Sequence, residues 1–373
     1  MGRLITVCAF LVANLLPKPA AAHPGAGIVV TPAGDIYFVV IGKSAIYRID
    51  RSGRLTVFVE DARLGLPHHL VLDGTGNIYT ISDEQRILWR VSPDGRLARV
   101  TQGPAGAWGD PFALDSAGNV YSVAPSERSR IIRVEPDGHV ATLAGSAPGF
   151  RDGPAAVARF SDLHYSAMAL HPDGRLFVTD RSNIRVVTRE GFVQSVDTPG
   201  IEIGLGVGLA LDGRDLLVAD YGSRRVVRVA PSGAAVVPGT EQLWATGVAV
   251  GSDGATYVLD AAPLAACVWV VRHGNRDRAG CVRPRGAAIV LFLCGLTGLL
   301  AAALALRPPP RRTTWALAVV LNGLLTVASI GLATSARLEP LRPLMAGLLA
   351  AAVVLPLTDR LRRAAPHNAT SSK

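Results

Sequence analysis

Two kinds of hydrophobic run divide the chain. Between about residues 26 and 285 apolar positions come in short clusters, either continuous or alternating with polar ones, and Gly-containing turns separate them. Clusters of this length predict β-strands: continuous runs suit strands buried on both faces, alternating runs suit strands with one wet face. Residues 4–16, 286–306 and 315–335 are instead long apolar stretches without that punctuation.

The β segment repeats itself. A turn followed by a short strand recurs as Gly34-Asp35-Ile36-Tyr37, Gly76-Asn77-Ile78-Tyr79, Gly118-Asn119-Val120-Tyr121, Gly174-Arg175-Leu176-Phe177, Arg214-Asp215-Leu216-Leu217 and Gly254-Ala255-Thr256-Tyr257. Its last position falls at 37, 79, 121, 177, 217 and 257, so the intervals are 42, 42, 56, 40 and 40. A continuous apolar run such as Leu70-Val71-Leu72 precedes the turn, and an alternating hairpin such as Ile87–Val91, Pro93-Asp94-Gly95, Arg96–Val100 follows it. Four short strands per unit at a period near 40 are the signature of a propeller blade, and six units predict an all-β, six-bladed β-propeller. The long third interval is an insert, Gly145–Leu163, expected as a loop on one rim. Asp83, Asp180, Asp220 and Asp260 end the second strands, where each is expected to accept backbone N–H bonds in its own turn. Blade six shows only a weak fourth strand near Cys281–Arg283, which leaves open completion of that blade by N-terminal residues.

The stretch Gly145–Gly191 resembles an NHL repeat nearly throughout. The matching residues are Pro148-Gly149-Phe150-Arg151-Asp152-Gly153, Ala158-Arg159-Phe160, His171-Pro172-Asp173-Gly174 and Val178-Thr179-Asp180-Arg181-Ser182-Asn183-Ile184-Arg185. The resemblance covers roughly residues 26–272, strongly in the fourth unit and more loosely in the first and sixth. It implies the same six-bladed ring.

The ends read as targeting and membrane segments. Arg3, the apolar Leu4–Leu16 and Ala20-Ala21-Ala22 form the three regions of a secretory signal peptide, residues 1–22, with an uncleaved anchor as the alternative. Cleavage after Ala22 exposes His23 and leaves a propeller domain of residues 23–285. Residues 286–306 and 315–335 are each long enough to span a bilayer, and 341–358 form a shorter third segment containing Pro356. Three spans put Arg307, Arg311 and Arg312, and the tail 359–373 with Arg360, Arg362 and Arg363, on the cytoplasmic side. Two spans put the tail outside. The expected architecture is thus a propeller on the extracytoplasmic side of the cell membrane followed by two or three transmembrane helices.

Charge agrees with this division. The net charge of +9 comes from the ends: residues 23–306 hold 27 basic and 27 acidic residues. A neutral propeller removes the main argument for a nucleic-acid partner. Of the four cysteines, Cys8 and Cys294 fall in the apolar ends. Cys267 and Cys281 lie on the two outer strands of blade six, around the polar loop His273–Gly280, and in an oxidising compartment are expected to form a disulfide. On the loop-entropy model it contributes about 3 kcal/mol.

Candidate chemistry concentrates where inner strands begin. Aligned there, the six blades offer Ala26, His68, Asp110, Ser166, Val207 and Thr246, then Gly27, His69, Pro111, Ala167, Gly208 and Gly247. His68, His69, Asp110 and His164 are the candidate ligands for a divalent metal, with His23 beside them. A catalytic metal needs about three protein ligands and an open position. Pro67-His68-His69-Leu70 resembles the Pro-His-x-Leu segment of amidating lyases built on the same repeats, which implies a zinc ligand there; those enzymes carry several such histidines, and this chain matches once. Trp108, Tyr165 and Trp244 also lie near inner-strand starts, where aromatic rings bind protein, peptide or glycan ligands or pack between blades. No Gly-x-Ser-x-Gly elbow, phosphate loop or His-Glu-x-x-His helix occurs. Two functions remain: a membrane-tethered recognition module without a cofactor, which the sequence favours, and a metal-dependent hydrolase or lyase of the gluconolactonase or amidating-lyase kind.

Overall fold

A computed structural model describes residues 27–40, 42–82, 85–100, 109–124, 127–262 and 265–282. The signal peptide, His23, Asp83, Trp108, Cys8, Cys294, the three apolar segments after residue 285 and the tail lie outside the described residues. Among the described residues no helix is long and apolar enough to cross a membrane.

Among the described residues twenty-four strands form six four-stranded antiparallel sheets, each from strands consecutive in sequence. Blade 1 contains β1 (Ile28–Val30), β2 (Ile36–Val39), β3 (Ala45–Ile49) and β4 (Leu55–Glu60). Blade 2 follows with β5 (Val71–Leu72), β6 (Ile78–Ser82), β7 (Ile87–Val91) and β8 (Leu97–Arg99). Blade 3 is built from β9 (Phe112–Leu114), β10 (Val120–Val123), β11 (Ile131–Val134) and β12 (Val140–Ala144). In blade 4 the strands are β13 (Met168–Leu170), β14 (Leu176–Asp180), β15 (Asn183–Val187) and β16 (Val193–Val196). Blade 5 holds β17 (Gly206–Asp212), β18 (Asp215–Asp220), β19 (Arg225–Ala230) and β20 (Gly233–Val236). The last blade comprises β21 (Ala245–Val250), β22 (Thr256–Ala262), β23 (Ala265–Arg272) and β24 (Asn275–Val282).

A sheet with two apolar faces must bury both. The buried residues accordingly form six clusters, one between each pair of neighbouring blades. Blades 1 and 2 share Val39, Ile46 and Trp89, while Leu217 and Val258 meet between blades 5 and 6. The ring closes through a cluster that joins Ile28, Phe38 and Ile49 of blade 1 to Tyr257, Leu259 and Val268 of blade 6. Blades 5 and 6 approach so closely at their inner strands that a Cβ on Gly208 would lie 3.0 Å from the Gly247 Cα.

Blade 6 corrects one expectation. Its outer strand is the eight-residue β24, so the C-terminal strands complete the blade without N-terminal help. The stretch read as a polar loop is mostly strand: the turn is only His273-Gly274, both at positive φ. Cys267 and Cys281 face each other across β23 and β24 and form the expected disulfide.

The insert Gly145–Leu163 is likewise not a simple rim loop. It folds back on itself through reciprocal Arg151–Arg159 backbone bonds and pairs with β16 through Gly153 and Val193. Ala158, Phe160 and Leu163 are wholly buried between blades 3 and 4. Arg185 of β15, fully buried, locks it. Its guanidinium pairs with Asp180 at 3.1 Å and Asp152 at 2.5 Å, donates to the Arg151 and Arg159 carbonyls, and lies over the Phe150 and Phe160 rings. The strand-end aspartates also reach further than their own turns. Asp180 accepts N–H bonds from Ser161 and Asp162, Asp220 from Gly204 and Leu205 as well as Ser223, and Asp260 from Trp244. Each therefore anchors the connection that enters its blade's inner strand, with Ser223 the one bond inside a turn.

Candidate functional site

Each inner strand starts at the same mouth of the ring, and the strands on either side of the blade 2–3 interface bring His68, His69 and Asp110 together there. His69 Nδ1 lies 2.7 Å from Asp110 Oδ1, and His68 Nδ1 lies 3.5 Å from Asp110 Oδ2. The carboxylate thus sits between two imidazoles, one close and one loosely held. Burial opposes its ionisation, yet the His69 and His68 rings outweigh that effect and hold the Asp110 carboxyl well below the usual carboxylate range.

Hydroxyls on the second strands fix this geometry from beneath. Thr80 donates to the His69 carbonyl at 2.8 Å, and Ser122 donates to the Gly109 carbonyl at 2.6 Å while accepting the Gly109 N–H at 3.0 Å. Both hydroxyls are fully buried. A Cβ at Gly109 would collide with the Val123 carbonyl, so glycine lets the Asp110 segment approach β10 this closely.

With Nδ1 turned to Asp110, His69 has only Nε2 left, and that atom is buried without a hydrogen-bond partner among the described residues. A buried polar atom left in this state costs about 1–3 kcal/mol. The candidate metal set does not converge around it. Both Nδ1 atoms face the carboxylate, and the His164 ring packs instead on Tyr165, 4.6 Å between centroids, at the blade 3–4 side. Among the described residues no group of three or more His, Cys, Asp or Glu side chains is disposed to hold a metal ion. The donors among the described residues therefore do not by themselves make a three-ligand catalytic metal site.

The same mouth carries an aromatic stack between blades 5 and 6. Trp244, half-buried, lies 5.4 Å from the Tyr221 ring, and the Arg224 guanidinium sits 4.5 Å above its centroid. Arg224 is held there by a 3.0 Å bond to the Gln242 carbonyl. Below, Asp260 accepts the Trp244 N–H and the Trp269 indole N–H, and burial pushes its carboxyl above the ordinary value despite those bonds. Tyr165 and Trp244 thus lie on one face but at different interfaces. Sequence reasoning missed Tyr221 and Arg224, whose role depends on a hairpin turn reaching across to the next blade, and missed the supporting Thr80 and Ser122.

These features define a six-bladed β-propeller with one polar and aromatic mouth. No family model matches the chain, and no curated protein matches it. Among solved structures, a chain of a nidogen/laminin complex is similar at 16% identity and a TM-score of 0.52, covering 68% of this chain and 95% of that one. A streptogramin B lyase is similar at 16% identity and 0.48, over 69% of this chain and 84% of that one. Virginiamycin B lyase from Staphylococcus aureus is similar at 14% and 0.47, over 68% and 83%. At such identities the fold alone is shared.

Proposed function

We propose that this chain is an NHL-type recognition propeller, tethered to the cell membrane by its C-terminal apolar segments and exposed on the extracytoplasmic side. It binds a protein, peptide or glycan at the mouth formed by the inner-strand starts. The observation that carries the reading is the Tyr221–Trp244–Arg224 stack. A half-buried indole capped by a guanidinium is a rigid, amphipathic contact surface of the kind that anchors interfaces. The Cys267–Cys281 disulfide supports an oxidising compartment. The signal-peptide pattern and the apolar segments support the tether.

Probing peptide and glycan arrays with the full-length chain tests it. Binding by the wild type that falls at least about tenfold, or about 1.4 kcal/mol, in Trp244→Ala and Arg224→Ala supports the reading. Equal binding by both variants, or none by the wild type, contradicts it.

A second reading, a hydrolase or lyase, has one observation in its favour. Asp110 orients His69 through Nδ1 as a carboxylate positions a general base, while the Nε2 that would take the proton is itself buried. The remaining members of a catalytic constellation do not gather there among the described residues.

A further inference from the structure

At the opposite end of the blade 2–3 interface from His69, the inner strands turn at Asp73 and Asp115 above a cleft of about 850 Å³. Leu88, Leu114 and Val120 form its apolar wall, and Tyr79 and Arg90 project at its side. Its volume is that of a small-molecule site.

Arg90 is unusual by comparison with its own repeats. An arginine stands opposite the repeat's aromatic position in four blades: Arg48 opposite Tyr37, Arg90 opposite Tyr79, Arg133 opposite Tyr121 and Arg228 opposite Leu217. Three of them are neutralised. Arg48 pairs with Asp35 at 3.0 Å, Arg133 with Glu135 at 2.6 Å, and Arg228 with Asp212 and Asp215 at 2.7 and 2.8 Å. Arg90, exposed, hydrogen-bonds the Tyr79 phenol and, unlike the other three, forms no ion pair among the described residues. The reason is local. Asn77 stands where Asp35 and Asp215 stand, and Ser92 stands where Glu135 does. Asp73, the counterpart of Asp212, accepts from the backbone and side chains of Thr75 and Asn77.

We infer that this cleft is a binding site for a small monocarboxylate, its carboxylate taken by the Arg90 fork and its apolar body by Leu88, Leu114 and Val120. A guanidinium matches a carboxylate with two parallel hydrogen bonds. The cleft carries Asp73, Asp115 and Asp137 against Arg90 and Arg99, a balance that disfavours a second negative charge on the ligand. The site is independent of the aromatic stack on the other mouth.

The test is calorimetric titration of the full-length chain with phenylacetate, 4-phenylbutyrate and decanoate, using phenylacetamide as the neutral control. At least one acid should bind saturably and the amide should not. Arg90→Gln should weaken binding tenfold or more. Asn77→Asp should do the same with the arginine still in place, because it recreates the Asp212–Arg228–Asp215 arrangement and occupies the fork. Failure of all three acids to bind, equal binding of the amide, or unchanged affinity in both variants would overturn the proposal.

Discussion

The interfaces on the two sides of blade 3 are built in opposite ways. Between blades 3 and 4 the buried cluster includes Phe160, Leu163 and Ala158 from the insert, and the fully buried Arg185 ties the insert to both its own strand and Asp152. Between blades 2 and 3 the buried cluster contains, among the described residues, Ile81, Leu88, Phe112, Val120, Ile132 and Val134, with Val71, Tyr79, Val100, Leu114 and Ala124 packed against it. Its inner strands, β5 and β9, have two and three residues, and those of the 3–4 interface, β9 and β13, three each, so the insert and not strand length makes the difference. At the two ends of the 2–3 interface lie His69 Nε2, without a hydrogen-bond partner among the described residues, and Arg90, bonded to the Tyr79 phenol but without an ion pair among them. One side of blade 3 is thus optimised for packing. The other retains unpaired hydrogen-bonding capacity, as binding sites do at a cost in stability.

The largest test of this contrast is Arg185→Ala. It strips the partner from buried Asp180 and removes the cation from the Phe150 and Phe160 rings, so chemical denaturation should show a loss of about 3–5 kcal/mol. Phe160→Ala removes a fully buried ring from the same layer and should cost about 3–5 kcal/mol. Leu88→Ala, on the thin side beside the cleft, should cost about 2 kcal/mol, the low end for a buried leucine. Equal losses for Phe160→Ala and Leu88→Ala would break the comparison.

The smallest effect is electrostatic. Because the folded-state pKa of Asp110 is depressed, its stabilisation is full above the ordinary carboxylate value and drains away as pH falls through and below it. Asp260 runs the other way: its raised pKa makes its ionisation oppose folding, so that contribution improves as pH falls. Denaturation midpoints followed from about pH 7 to about pH 3 should therefore fall less steeply in Asp110→Asn than in the wild type. A parallel acid limb in the two proteins would show that the His69–Asp110 contact carries no charge-dependent stability.

Much of this was legible in the chain because blade structure is local. The Gly-x-apolar-aromatic turn unit at a period near 40, its glycine and aromatic kept in five copies and degenerate at Arg214–Leu217, marked all six sheets, and aligning the inner-strand starts put His68, His69 and Asp110 on adjacent blades at one mouth. Contacts across units were not legible. Arg185 reads as one more polar residue on an alternating strand, and its burial depends on Asp152, far earlier in the insert. Trp244 could be marked as near an inner-strand start, but not that Tyr221 and Arg224 of the previous blade would cover it. Of the candidate metal ligands, His68, His69 and Asp110 meet at one mouth, His164 packs on Tyr165 at the next interface, and His23 lies outside the described residues.

Metal content of the purified full-length chain, alongside a His68→Ala/His69→Ala variant, tests recognition against metal-dependent catalysis most directly. The recognition reading predicts that zinc, calcium and copper stay far below one ion per chain in both proteins. Stoichiometric metal in the wild type that disappears from the variant would contradict it and make the blade 2–3 mouth a catalytic centre.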